Sequence, residues 1–190
     1  MLKYLLNDCL LDGAVNQNNF AYYKRLFKNL TNPNGCQAYG TFFTLHNYMN
    51  YHDIMSLRHD GHEMAVSSIS DDKSLYLKNS TAWTEELAGM RRILSLEAEV
   101  EEEEVLGVRA PGAKPGYNTQ YEVRESVSSA LSTCPLHNSF QVMIDYGFIW
   151  DSSISLPPQS TPVWPYTLGA DQRYIMTCDV VTINTGWNCD

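Results

Sequence analysis

Histidine, cysteine and carboxylate side chains are the groups in this chain that could hold a metal or move a proton, and their spacing narrows the chemistry. The histidines are His46, His52, His59, His62 and His137. His59 and His62 look like a pair. His59 falls at the end of an expected helix, however, and His62 just before the strand that follows. That is the face of a strand–helix–strand unit away from the strand C-termini, where such units do their chemistry. His46 stands at the chemical end, alone, so the histidines read as surface or structural groups. The cysteines, Cys9, Cys36, Cys134, Cys178 and Cys189, form no CxxC pair, which argues against a zinc knuckle. The acidic run Glu97–Glu104 could attract a divalent cation or a basic partner, but such a run reads first as a solvated helix end and loop.

The elements that must position any site centre on Asn32–Ser70. Tyr39–Leu45 is aromatic and β-branched, as a buried strand requires. Asn50 can cap a helix whose first turn carries Asp53 near the positive end of its dipole. Tyr51, Ile54, Met55 and Arg58 would share one face of that helix, and Gly61 supplies its stop. Glu63–Ser67 is the next strand. The order implies a right-handed βαβ unit with parallel strands, so His46–Asn47 and Ser67–Asp71 lie at the chemical end. Upstream, Met1–Leu11 should form a first strand interrupted by Asn7, Asp8 and Cys9, and Asn19–Leu30 a helix with Phe20, Tyr23 and Phe27 on one side. Downstream, Asp71–Ser80 is a polar connection. Trp83, Leu87, Met90 and Leu94 form the apolar stripe of a helix on a sheet. Val105–Val108 is a third strand, Phe140–Tyr146 a helix stopped by Gly147, and Phe148–Trp150 a fourth strand. Glu122–Asn138 is Ser-rich without clear periodicity and is expected as an exposed insert.

The chain has 190 residues, enough for one domain with a sizeable core. Hydrophobic residues make up 44% and charged residues 18%, which excludes a disordered chain. No apolar run is long enough to span a membrane. A net charge of −9 argues against nucleic acid as a partner and leaves a neutral or weakly cationic glycan admissible. Aromatics at 12% suit sugar stacking as well as they suit an α/β core.

Several short motifs resemble the polysaccharide deacetylase family, the NodB-homology domains of carbohydrate esterase family four, in its arthropod chitin deacetylase branch. They are Asn32-Pro-Asn-Gly-Cys36, Gly40-Thr-Phe-Phe43, Asn47-Tyr48, Gly61-His-Glu63, Asp12-Gly-Ala-Val-Asn16, Arg109-Ala-Pro111, Lys114-Pro-Gly-Tyr-Asn118, Pro157-Pro158 and Pro162-Val-Trp-Pro-Tyr-Thr-Leu168. The resemblance implies an α/β fold, a distorted (β/α) barrel, here expected to be incomplete. It implies a single domain over 1–190, truncated at both ends and carrying an insert at about 122–138. It also implies secretion and a Cys36–Cys178 disulfide, beside the alternative of free buried thiols. The sequons Asn29-Leu-Thr31 and Asn79-Ser-Thr81 agree weakly with secretion, and no signal peptide is visible at Met1.

The same resemblance assigns roles. Family members hold a divalent metal through one Asp and two His, so that the metal polarises the acetyl carbonyl and supplies hydroxide. A neighbouring Asp is the base, an Arg orients it, and a late His is the acid. Here Asp12 takes the base slot, Arg109 the orienting slot and Asp151 the carboxylate that tunes the acid. The metal slots read Gly13, Ser67 and Asp71, and Met176 stands in the acid slot. No cofactor is therefore expected, zinc or another divalent metal entering only if the chain is an active enzyme. Tyr117, Trp164 and Tyr166 would line a groove for chitin or a related N-acetylglucosamine polymer. The reading is an extracellular chitin-binding protein without catalysis; an active metal-dependent chitin deacetylase and a truncated non-functional product are the alternatives.

Overall fold

The computed structural model describes residues 9–32, 34–115, 142–143 and 145–153. Met176, Tyr117, Trp164, Tyr166, Cys178 and the expected insert at 122–138 lie outside the described residues. The strands are β1 (Cys9–Asp12), β2 (Gly40–Leu45), β3 (Glu63–Ser68), β4 (Gly107–Val108) and β5 (Trp150–Asp151). All neighbouring pairs are parallel, and the strands lie side by side in chain order. Between the first four run α1 (Phe20–Phe27), α2 (Tyr51–His59) and α3 (Ser80–Ala98). Helical residues Val142, Met143, Asp145 and Tyr146 precede β5. A parallel sheet whose strands never skip a neighbour, with a helical crossover each time, winds in one sense and curls into the wall of a barrel. The expected incomplete (β/α) barrel is what forms.

Side chains alternate across that wall. Phe42, Met64, Val66 and Val108 face the helices and pack with Ile54, Leu57, Trp83, Leu87, Met90 and Leu94 in the main core. Phe43, Ala65 and Trp150 form a second apolar cluster on the other, concave face. The α3 stripe is as the periodicity predicts, each of its four residues fully buried. Asn50 caps α2 by accepting the His52 N–H at 3.1 Å. The buried face of α2 differs from expectation: Asp53, Ile54 and Leu57 are buried, whereas Tyr51, Met55 and Arg58 are only partly covered. The reason is that α2 packs beside α3, with Ile54 and Leu57 turned into the main core, while Arg58 pairs with Glu104 at 2.7 Å.

The acidic run is the end of α3 followed by a 3-10 turn, Glu102–Glu104, and it is satisfied locally: Arg92 pairs with Glu102 at 2.9 Å and Arg58 with Glu104. Among the described residues, no helix is long and apolar enough to cross a membrane. Cys36 is disulfide-bonded, and Cys9 is free.

Candidate functional site at the strand C-termini

Register decides which side chains can meet. Asp12 is the last residue of β1 and stands beside Phe43 of β2, so it projects from the concave face. Arg109 follows β4 directly, with its N–H bonded to Val66 O at 2.9 Å, and its guanidinium lies over the Phe43 ring, 4.5 Å from the centroid. Phe43 in turn meets Trp150 edge to face at 5.5 Å. Asp12 and Arg109, expected from sequence as base and orienting residue, thus share one apolar floor at the C-terminal end of the strands.

Arg109 is held more firmly by the loop after β5 than by Asp12. Its Nε donates to Ser152 O at 3.2 Å and its Nη2 to Ser152 Oγ at 2.8 Å. The Asp12 contact is 4.0 Å, the outer limit of an ion pair, with the Asp12 side chain 43% exposed. Such a pair contributes under about 1 kcal/mol. Partial burial on the apolar floor pushes the Asp12 carboxyl above its ordinary range; Arg109 pulls it down and Asp71 pushes it up.

Asp151 sits differently. It stands opposite Val108 in the parallel register, and Val108 faces the helix-side core. Its two oxygens accept the Ser153 N–H, at 2.9 Å, and the Ser153 hydroxyl; that hydroxyl also accepts the Ala110 N–H at 2.7 Å. Burial raises Asp151 to about 6, against the opposing pull of the Ser153 hydrogen bonds and Arg109. The carboxylate therefore ties the loop after β5 to the loop after β4, the two segments that hold Arg109.

At the metal slots, Gly13 brings no donor atom, and its φ of +121° is a backbone shape that side chains with a Cβ avoid. Ser67 is buried at the end of β3. Asp71 has a φ of 54°, its N–H bonded to Ser68 Oγ at 2.9 Å and its carboxylate 3.8 Å from Lys73 Nζ. Glu86 on α3 fixes this loop, accepting the Ile69 and Ser70 N–H groups at 2.8 and 2.9 Å and the Ser70 hydroxyl at 2.6 Å. A single carboxylate with a serine hydroxyl is a poor set for a transition metal. Among the described residues, no three His, Cys, Asp or Glu side chains cluster as a metal set would. The described residues do not fit an Asp-His-His centre.

Among the described residues, no histidine joins a group that could hold a metal. His62 is buried at the start of β3, its Nδ1 accepting the Gly40 N–H at 3.0 Å. His46 Nδ1 lies 2.6 Å from the Tyr51 hydroxyl at the other end, and burial raises that phenol to about 12. Phe43, Glu86, Ser152 and Ser153 are the positioning residues that sequence reasoning missed. Phe43 was visible as strand core and as part of the Gly40–Phe43 motif, with no role in the site, and the others carry no local pattern.

With this geometry the class is defined: the chain belongs to the polysaccharide deacetylase family, the NodB-homology domains of carbohydrate esterase family four. It is similar to Chitin deacetylase 1 of Bombyx mori, 34% identical over 161 residues, covering 83% of this chain and 26% of that protein. It is also similar to Chitin deacetylase 8 of Bombyx mori, 27% identical over 183 residues, covering 93% of this chain and 43% of that protein. The chain thus spans about a quarter and under half of the length of these curated relatives. No family profile matches it. A solved family 4 carbohydrate esterase from Streptomyces lividans superposes with a TM-score of 0.49 at 11% identity, over 76% of this chain and 60% of that one, and nothing further follows from it.

Proposed function

We propose that this chain is an extracellular, chitin deacetylase-like domain that binds chitin or a related N-acetylglucosamine polymer without removing its acetyl groups. The observation that carries this reading is the pairing of an intact Asp12–Arg109 floor with a Gly13 that has no ligand atom. Asp12, Arg109 and Phe43 offer a carboxylate, a donor fork and an aromatic surface, which suit sugar hydroxyls, an acetamide carbonyl and a pyranose face respectively. Tyr117, Trp164 and Tyr166 would extend the groove. Asp151 enters as the residue that fixes the loop holding Arg109. The chain is proposed to be one domain, with 122–138 as its insert.

Deacetylation is amide hydrolysis, and it needs an activated water, a stabilised oxyanion and an acid for the leaving amine. Losing one electrostatic stabiliser costs roughly 10²–10³ in rate, and general acid–base assistance is worth about 10²–10⁴. With Gly13, Ser67 and Asp71 in the metal slots and Met176 in the acid slot, turnover is not expected. The raised carboxyl of Asp12 favours a second reading, an active deacetylase, because a base tuned upward is what catalysis at neutral pH uses.

Both readings meet in one assay. Purified protein is incubated with chitin oligomers and added zinc or cobalt, with released acetate measured beside retention on chitin beads. Retention without acetate is the expected result. Acetate release that requires the metal and disappears in Asp12→Asn would establish the active enzyme instead.

A further inference from the structure

A cavity of about 910 Å³ opens at the opposite end of the barrel wall, where β2 and β3 begin. Its lining includes Lys24, Arg25 and Lys28 of α1 and the segment just after it, with Phe20 and Phe27 as apolar wall, Tyr39 and His62 from the residues that lead into β2 and β3, and one carboxylate, Asp60. One six-residue strand separates it from Asp12 and Arg109, roughly 20 Å. The size lies in the range of small-molecule sites.

Its charge runs against the molecule. The chain carries 22 acidic and 13 basic residues. Arg58, Lys73, Lys78, Arg92 and Arg109 each pair with a carboxylate. Lys24 pairs with Asp60. Arg25 and Lys28 have no carboxylate within ion-pair distance among the described residues; Arg25 lies over the Tyr22 ring at 5.4 Å. Two uncompensated cations therefore flank one cavity on an acidic protein.

His62 adds a directed donor. Its Nδ1 accepts the Gly40 N–H at 3.0 Å, so the neutral ring carries its proton on Nε2. Phe27, Tyr39 and Phe42 surround the ring with centroids at 4.4, 5.9 and 5.5 Å. No acceptor for Nε2 occurs among the described residues, and the ring lines the cavity. The Gly40 N–H on Nδ1 sets this tautomer, and burial lowers the His62 pKa against the opposing pull of Asp60, which disfavours the charged ring.

We infer that this cavity binds an oxyanion borne on a ring, a phosphate, sulfate or carboxylate group held by Arg25, Lys28 and His62 Nε2 while the ring lies against Phe20 and Tyr39. The site is separate from the groove and does not depend on the chain's binding to chitin.

The test is a titration of the full chain followed by NMR at the Tyr39 amide and the His62 ring. Three probes are compared: phenyl phosphate, inorganic phosphate and phenol. Phenyl phosphate is expected to shift both residues saturably and to bind at least tenfold more tightly than either half alone. The double variant Arg25→Gln, Lys28→Gln should weaken it at least tenfold with Tm unchanged, since both side chains are exposed. Lys114→Gln, placed elsewhere, should not. No saturable shift at these residues would overturn the inference. So would inorganic phosphate or phenol binding as tightly as phenyl phosphate, or undiminished binding to the double variant.

Discussion

Asp151 is the residue whose environment makes the sharpest demand on solution behaviour. Its carboxyl titrates near 6 in the fold against an ordinary value of 3.8, because burial penalises the charge more than Ser153 and Arg109 relieve it. Between these values the folded chain holds a proton that the unfolded chain has released. Stability from this group is therefore full below pH 3.8, falls as pH rises to about 6, and is level above. The loss amounts to about 3 kcal/mol. In Asp151→Asn that slope should vanish, so urea denaturation of both proteins from pH 4 to 6.5 should show their difference changing steadily with pH. A constant difference would mean that the carboxyl is not destabilised by burial. The variant should also lose part of the loop clamp, because Ser153 gives one hydrogen bond to each carboxylate oxygen and an amide retains a single acceptor.

At the scale of the element, the join between β4 and β5 leaves no room for a side chain at Gly107. A Cβ built on Gly107 would lie 2.0 Å from Trp150 Cζ2, on the concave face where the two residues are register partners. Gly107→Ala should destabilise by at least about 1–3 kcal/mol, and Trp150→Leu should recover much of that loss in the double variant. A double-mutant cycle by urea denaturation measures the coupling, and simple additivity would show that the contact is not the cause. The chain signals elements better than it signals such joins. The strand–helix–strand core was legible because Asn50, Gly61 and the Tyr39–Leu45 run are local signals within a few residues of the boundaries they set. The stripe Trp83, Leu87, Met90 and Leu94 was legible by period alone. The face of α2 was misread because its neighbours, and not its own apolar pattern, decide that Leu57 and Asp53 go inward. In the site, Asp12 and Arg109 were found through short linear motifs. Glu86 binding the loop 16 and 17 residues upstream, and Ser153 bonding Ala110 across 43 residues, leave no trace in spacing.

For the molecule as a whole, stability should be graded from the centre of the sheet outward. β2 and β3 are flanked by strands on both sides and are almost wholly buried, whereas β1 alternates between partly covered and exposed residues. Native-state hydrogen exchange should therefore be slowest at Phe42, Phe43, Ala65 and Val66 and faster at Leu10 and Leu11. Equal protection of β1 and β3 would contradict this gradient. The strictly sequential strand order bears also on how the chain is made. Each strand pairs with the one before it, so the growing polypeptide leaving the ribosome can lay down β2 on β1 and β3 on β2 without waiting for distant sequence. Closing each loop then costs the entropy of one crossover and no more. Arg109 is consequently a late arrival: it reaches the floor built by Asp12 and Phe43 only after three strands have already settled, and it is locked by Ser152 later still.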